Sequence, residues 1–190
     1  MNHSIMTRLG LALLVTSALG FGALGCAGDD TGPDEEDGTV NADEPVDTTG
    51  DALTGISADA VSAHNASRSK HHAANVVWDN TIAQGAQAYA NTCALKHSGA
   101  KGLGENLGWG YGNIKGAINA WVSEEKNYNY GNPGFGSNTG HFTQVVWKGT
   151  TRIGCGVAQC PSIPYKNMEV CRYAPPGNVL GQFPQNVQKP

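Results

Sequence analysis

Residues 140–160 read GHFTQVVWKGTTRIGCGVAQC and change their hydrophobic period midway. Before Gly149 the apolar residues follow the spacing of a helix, and beyond it they alternate as in a strand. The helical set is Phe142, Val145 and Val146, and the alternating set is Ile153, Cys155 and Val157. The stretch therefore predicts a short helix, opened by His141, that leads into a cysteine-bearing strand.

A helical pattern lies well upstream of this stretch. Ser57 can cap a helix that runs to about Lys70. We interpret His64, within this helix, as a structural residue. His71 and His72 follow at the helix end, where cations suit the dipole, and we interpret both as solvent-exposed.

A second helix can begin after Asp79 or Asn80, and its apolar face extends to Cys93. The same spacing continues for one more turn, which places His97 on about the same face as Cys93. If Cys93 forms a disulfide, His97 is held near a covalently fixed point.

Two further segments carry carboxylates. Residues 101–112, KGLGENLGWGYG, predict a glycine-rich loop that presents Glu105 either into a cleft or simply to solvent. A third helix contains Trp121, which Glu124 and Glu125 follow at i+3 and i+4. The helical wheel places Glu125 nearer the apolar stripe and Glu124 at its edge, and it does not choose between them.

The segments that flank residues 140–160 complete the predicted elements. Residues 127–138 are rich in Asn, Gly and Tyr and predict a long loop that leads to His141. Residues 168–173 predict a second strand, which carries Cys171.

Residues 1–25 have the composition of a signal peptide, with Arg8 as the only charge before an apolar run that ends in small residues. Residues 23–26, Ala-Leu-Gly-Cys, resemble a bacterial lipoprotein box, so we predict that Cys26 carries a lipid; ordinary secretion is the alternative. Removing Cys26 from the 5 cysteines leaves an even number, which suits disulfides in an oxidising compartment.

The charge distribution divides the rest of the chain. Residues 26–51 hold most of the acidic side chains and no Lys or Arg, which predicts a disordered, self-repelling linker after the lipidated cysteine. Residues 52–190 form the predicted domain and carry a small positive net charge, although the whole chain is −4. The basic residues form no cluster, which argues against nucleic-acid binding.

Two histidines and two carboxylates, which are His97, Glu105, a third-helix glutamate and His141, form the candidate site. Such a set could bind a divalent metal or perform general acid/base chemistry. The chain contains no HExxH motif. Ser98 adjoins His97, but sequence adjacency is weak evidence for a nucleophile, and the domain cysteines look structural.

Five segments of the domain resemble motifs of the CAP superfamily, which includes cysteine-rich secretory proteins, antigen 5 and class-one plant pathogenesis-related proteins. They occur in the family's order between residues 60 and 187. The segments are CALKHSG, GENLGWG, WVSEEKNYNY, GHFTQVVWKGTTRIGCG and VCRYAPPGNVLGQFPQNV.

The resemblance implies an α+β fold, a three-layer α-β-α sandwich with a small antiparallel sheet. It implies a cleft tetrad of His97, Glu105, Glu124 and His141, because the family's third-helix acid lies three residues after the tryptophan. It also implies two disulfides, Cys93–Cys160 and Cys155–Cys171.

Three hypotheses for function follow from these observations. The first is a binding module, without enzymatic activity, whose His97 and His141 bind a metal such as Zn²⁺ and whose cleft takes a lipid, sterol or glycan. The second is a zinc-assisted hydrolase of peptides or cell-wall material, with Glu105 or Glu124 activating the water. The third is a structural tetrad whose members only satisfy one another.

We favour the first hypothesis, because two protein ligands are few for a catalytic zinc. The lipoprotein box places the protein in a bacterial cell envelope, attached to the membrane through Cys26, with full secretion as the alternative.

Overall fold

The computed structural model describes residues 48–190, with side chains described from Gly55 onward. The predicted signal peptide, the candidate lipidation site Cys26 and the linker up to residue 47 lie outside the described residues. The elements in chain order are α1 (Thr48–Lys70), β1 (Val77–Trp78), α2 (Asn80–Ala90), β2 (Gly104–Trp109), α3 (Ile114–Val122), a 3-10 helix (Ser123–Asn127), α4 (Gly140–Val145), β3 (Arg152–Cys160), β4 (Lys166–Ala174) and α5 (Phe183–Asn186). None of the helices in residues 48–190 combines the length and hydropathy that crossing a bilayer requires.

The first helix ends at Lys70, as predicted, but it differs from its prediction at its start. It begins at Thr48 rather than at Ser57, so the last residues of the predicted linker are helical. His72 is exposed, as predicted, but the interpretation of His71 as solvent-exposed is wrong. His71 is buried because the C-terminal tail packs over it, and its Nδ1 lies 2.8 Å from the carbonyl oxygen of Gln188.

Arg68 is a buried cation that attaches α1 to the end of α4. Its guanidinium donates hydrogen bonds of 2.8–3.0 Å to four backbone carbonyls, those of Ala74, Val145, Trp147 and Thr150. These carbonyls replace the water that the buried charge loses. The contact fixes the helix that His141 opens.

The sheet has four strands in the order β1-β3-β4-β2. The long pairs β3–β4 and β2–β4 are antiparallel, in agreement with the antiparallel sheet that the family resemblance implies. Cys155 lies opposite Cys171 across the β3–β4 pair. The two-residue strand β1 was not predicted, and it pairs with β3 in parallel. The sheet is therefore mixed rather than wholly antiparallel.

Helices cover both faces of this sheet, because β3 and β4 send alternate side chains to opposite sides. On one face α1, α3 and α4 pack over a core that includes Trp121, Phe142, Ile153 and Tyr173. On the other face α2 packs over a smaller core that includes Ala86, Cys160, Met168 and Val170. The predicted α+β class and its three layers are confirmed.

Close packing of α2 on β3 depends on two glycines. A Cβ on Gly154 would stand 2.2 Å from the backbone nitrogen of Ala83, and one on Gly156 would stand 2.4 Å from the Cα of Gln87. Side chains at these positions would push the helix off the sheet, because real Cβ atoms do not approach backbone so closely.

The predicted extension of α2 to His97 is wrong. The helix ends at Ala90, and Cys93 adopts a left-handed conformation with φ of 53°. His97 therefore lies in a connecting loop, which the Tyr89 hydroxyl holds by a 2.5 Å hydrogen bond to the carbonyl of Lys96.

The predicted glycine-rich loop at residues 101–112 is also corrected, because Gly104–Trp109 forms the edge strand β2. Both implied disulfides, Cys93–Cys160 and Cys155–Cys171, are present. The first joins the loop that carries His97 to the end of β3, and the second crosses the centre of the β3–β4 ladder.

Candidate functional site

The four tetrad residues come from four different segments and form two histidine–glutamate pairs. His97 lies in the α2–β2 loop, Glu105 on β2, Glu124 in the 3-10 helix and His141 in the first turn of α4. Nδ1 of His97 is 3.0 Å from Oε1 of Glu105. Nδ1 of His141 is 2.7 Å from Oε1 of Glu124.

Glu105 accepts four hydrogen bonds. Oε1 accepts from Nδ1 of His97 and from the Ser98 backbone N–H at 2.8 Å. Oε2 accepts from the Ser98 hydroxyl at 2.5 Å and from Nε of Arg172 at 3.1 Å. Burial acts to raise the pKa of Glu105, but the bonds from Ser98, His97 and Arg172 outweigh it and hold the pKa below its ordinary value.

Glu124 is held against the start of α4. Its Oε1 accepts from the His141 ring, and its Oε2 accepts from the backbone N–H groups of His141 and Phe142 at 3.0 and 3.2 Å. Burial acts to raise the pKa of Glu124, and the bonds from His141 and the two amides lower it to below the ordinary value. Both carboxylates are therefore ionised acceptors, and each histidine ring carries its proton on Nδ1.

Glu125, the alternative that the helical wheel left open, points elsewhere. Its Oε1 accepts a 3.0 Å hydrogen bond from the Tyr130 hydroxyl, and its Oε2 lies 3.6 Å from Nε2 of His71. The tight 3-10 turn directs the two neighbouring glutamates to different histidines. Glu124 is thus the third-helix glutamate that belongs to the site.

Asn106 connects the site to the core. Its Nδ2 donates to the carbonyl of His141 and to the hydroxyl of Tyr173, both at 3.1 Å. The Tyr173 hydroxyl then donates to Nε2 of His64 at 3.0 Å, and Nδ1 of His64 donates to the Ala60 carbonyl at 2.8 Å. His64 is buried within this chain of bonds, in agreement with its interpretation as structural.

His97, Glu105 and His141 line one cleft of about 270 Å³, whose other walls include Phe135 and Asn178. Glu124 does not line it, because it lies behind His141 and borders an adjoining cleft. His141 is further fixed by stacking on Trp121, with ring centroids 6.0 Å apart. The predicted tetrad therefore comes together, but only three of its members share one cleft.

Whether these residues fit a metal ion depends on the Nε2 atoms of the two histidines, because both Nδ1 atoms are bonded to glutamates. No group of three or more His, Cys, Asp or Glu residues suited to a metal occurs among residues 48–190. Within the same residues, Nε2 of His97 and Nε2 of His141 have no hydrogen-bond partner. Histidines that bind metals commonly donate their other N–H to a carboxylate. If a metal ion bound here, His97 and His141 would be its protein ligands, and the glutamates would support those ligands without binding the ion.

Sequence reasoning missed Arg172 and the role of Ser98. Arg172 lies directly opposite Glu105 in the β2–β4 ladder, and its Nη2 also donates to the Ser98 hydroxyl at 3.0 Å. Ser98 is therefore a donor to Glu105 and not a free nucleophile. The strand register that aligns Glu105 with Arg172 was the missing signal, because β2 was predicted as a loop.

Comparison with solved structures gives the class of the fold. The crystal structure of NaASP2 with Zn²⁺ has a TM-score of 0.58 and 26% identity, covering 71% of this chain and 87% of that one. The model of the cysteine-rich secretory protein family (CAP) matches residues 61–173. The chain belongs to this family.

Two relatives show how much of the chain is similar to known proteins of plants and fungi. A pathogenesis-related protein of PR-1 type from Sambucus nigra is 41% identical over 135 residues, covering 66% of this chain and 80% of the plant protein. Protein PRY2 of Saccharomyces cerevisiae is 43% identical over 137 residues, covering 70% of this chain. The chain spans only 41% of the length of that yeast protein.

Membership of a secreted family, together with two disulfides, identifies the domain as extracytoplasmic. These two relatives come from a plant and a fungus, and the bacterial origin implied by the interpretation of Cys26 stays a prediction.

Proposed function

We propose that this extracytoplasmic CAP domain binds a divalent metal ion, with Zn²⁺ as the best candidate, through Nε2 of His97 and Nε2 of His141. The observation that carries the proposal is that both Nδ1 atoms are bonded to ionised glutamates while both histidines line one cleft. A carboxylate on Nδ1 makes Nε2 more basic and fixes the ring orientation, which strengthens a metal–imidazole bond.

The residues around each pair favour a rigid site. Glu105 is anchored by Arg172 and Ser98, and Glu124 by two amides of α4. The Nε2 atoms are thus positioned before a ligand arrives, which reduces the entropy cost of binding. A bound ion would supply positive charge and open coordination positions for an oxygen-bearing ligand.

The same contacts favour binding over hydrolysis. A general base needs a free lone pair and a pKa near the working pH. A carboxylate has about four lone-pair sites, and Glu105 uses four in hydrogen bonds while Glu124 uses three. The lowered pKa of each group makes it a still weaker base.

A calorimetric Zn²⁺ titration tests the metal proposal. We expect a one-to-one isotherm for the purified protein, lost in His97→Ala/His141→Ala and retained in the control His72→Ala, which alters an exposed histidine of the α1–β1 connection. A flat isotherm for the unaltered protein at neutral pH, with the fold intact by circular dichroism, would contradict the metal proposal. The hypothesis that the tetrad is purely structural would then stand.

We also propose that the protein is attached to a membrane through lipidated Cys26, which lies outside the described residues. The support is the Ala-Leu-Gly-Cys sequence at residues 23–26 and the even number of cysteines that remain. Cys26→Ala should move the protein from the membrane fraction to the soluble fraction of expressing bacteria. Unchanged membrane association in Cys26→Ala would contradict the proposal.

A further inference from the structure

The two histidines of the proposed metal site are held in different ways. His141 stacks on Trp121, its backbone N–H donates to Glu124, and its side chain is 34% exposed. The side chain of His97 is 61% exposed and lies in a loop, so packing does little to fix its ring. The orientation of His97 therefore depends on how Glu105 and the neighbouring backbone are held.

The two peptide units that flank His97 are each bound by a side chain. The carbonyl of Lys96, which precedes His97, accepts the 2.5 Å hydrogen bond from the Tyr89 hydroxyl. The N–H of Ser98, which follows His97, donates to Oε1 of Glu105 at 2.8 Å. Because rotation of either peptide unit would break one of these bonds, the backbone of His97 is fixed on both sides.

Tyr89 contributes to both of these supports. Its ring lies against the guanidinium of Arg172, whose Cζ is 5.6 Å from the ring centroid, within the range of a cation–π contact. Nε of the same guanidinium donates to Oε2 of Glu105 at 3.1 Å. The hydroxyl of Tyr89 thus holds the loop, while its ring supports the cation that holds Glu105.

Gly85, one turn before Tyr89 on α2, leaves room for the same cation. A Cβ at this position would stand 2.9 Å from Nη1 of Arg172, which is closer than real Cβ atoms approach other atoms. Residues four apart in a helix are neighbours on one face, so Gly85 and Tyr89 meet Arg172 from the same side. A methyl group at position 85 would therefore displace the guanidinium from its place against Tyr89.

We propose that Tyr89 and Gly85 are positioning residues for His97, although neither lines the cleft. Tyr89 acts through the backbone before His97 and through Arg172, and Gly85 acts by leaving space for Arg172. A histidine that is already oriented loses less freedom when it binds an ion. The consequence for metal affinity rests on the proposed function, whereas the consequence for the His97 ring does not.

The tautomer of His97 provides a test that needs no metal. Ring nitrogen chemical shifts would be measured by NMR on the metal-free protein at about pH 8.5, where an unperturbed histidine is neutral. A ring that donates to Glu105 carries its proton on Nδ1, whereas a neutral imidazole in water carries it mostly on Nε2. In Tyr89→Phe, which removes only the hydroxyl, His97 should shift toward the Nε2–H form while His141 keeps its proton on Nδ1.

A calorimetric titration measures the consequence for the metal. Tyr89→Phe should raise the Kd for Zn²⁺ by about fivefold, which corresponds to the net value of one typical hydrogen bond. The matched control is Tyr130→Phe, which removes a hydroxyl that donates to Glu125, outside the tetrad. This control should change neither the His97 shifts nor the Kd for Zn²⁺.

Gly85→Ala tests the space beside Arg172 without removing a donor. Alanine is a better helix former than glycine, so α2 should persist while His97 shifts in the same direction as in Tyr89→Phe. Gly55→Ala in α1 is the control, because a Cβ at that position meets nothing within 4 Å.

Unchanged His97 shifts in Tyr89→Phe or in Gly85→Ala would overturn the role proposed for that residue. Equal changes at His97 and His141 would also overturn it, because they would indicate a general loss of structure. If the unaltered protein binds no Zn²⁺ but His97 responds as expected, the positioning of His97 stands and the metal proposal alone fails.

Discussion

Nδ1 of His141 lies 2.7 Å from Oε1 of Glu124, while Glu125, the residue that follows Glu124, faces the buried ring of His71. The two glutamates are therefore a natural matched pair for experiment. If the proposed metal site is correct, Glu124→Gln should lower Zn²⁺ affinity by about tenfold, since outer partners of metal-binding histidines contribute about 10–100-fold. Glu125→Gln should leave Zn²⁺ affinity unchanged in the same calorimetric titration, and equal losses in both variants would contradict this assignment.

Arg172 should be important for stability as well as for positioning Glu105. Its side chain and that of Glu105 are only 11% and 7% exposed, so Arg172→Met leaves a buried carboxylate without its cation. We expect Arg172→Met to lower the free energy of unfolding by about 3–5 kcal/mol, measured by urea denaturation.

Arg152 provides the control for this experiment. It pairs with Asp79 at the surface, where its side chain is 53% exposed, so Arg152→Met should cost less than about 1 kcal/mol. A similar loss in both variants would show that burial of the Arg172 pair does not matter.

His64 should make the fold sensitive to acid. Burial lowers the pKa of His64 from 6.5 to about 4, an effect opposed by the hydrogen bond to Ala60 and reinforced by the charge of Arg68. Between these two pH values the unfolded chain binds a proton that the folded chain does not, so stability falls as pH falls. The loss from this residue should reach about 3 kcal/mol near pH 4.

Urea denaturation of the unaltered protein and of His64→Gln between pH 7 and pH 4.5 isolates this contribution, because the remaining carboxylates titrate in both. The stability difference between the two proteins should shrink as pH falls. Parallel curves over this range would show that His64 does not carry the effect.

Gly154 should tolerate no side chain. A Cβ there would stand 2.2 Å from the backbone of α2, so Gly154→Ala should lower the free energy of unfolding by about 3 kcal/mol or more. Gly134→Ala is the control, because a Cβ at that position meets nothing within 4 Å. Thermal unfolding of both variants measures the contrast, and a small effect of Gly154→Ala would mean that α2 can move off β3 at little cost.

Local patterns were enough to predict the helices at Trp121 and His141 and the two cysteine-bearing strands. These elements depend on the spacing of apolar residues within one short segment, which the sequence contains directly. The prediction of a helix through Cys93 to His97 was wrong, because the spacing of apolar residues does not show where a helix ends. The apolar spacing continues to Cys93, but the helix ends at Ala90 and the backbone of Cys93 is left-handed.

The sequence by itself determined the α+β class, the four residues of the tetrad and the disulfide pairing, all three through resemblance to family motifs. Only the tertiary structure decided that Glu105 lies on a strand opposite Arg172, 67 residues away, and that Glu125 contacts Tyr130 and His71. It also brought Gly108, Tyr111 and Tyr165 to the walls of one cleft. Such contacts depend on strand register and chain crossing, which join segments that are far apart in the chain and leave no period in the sequence.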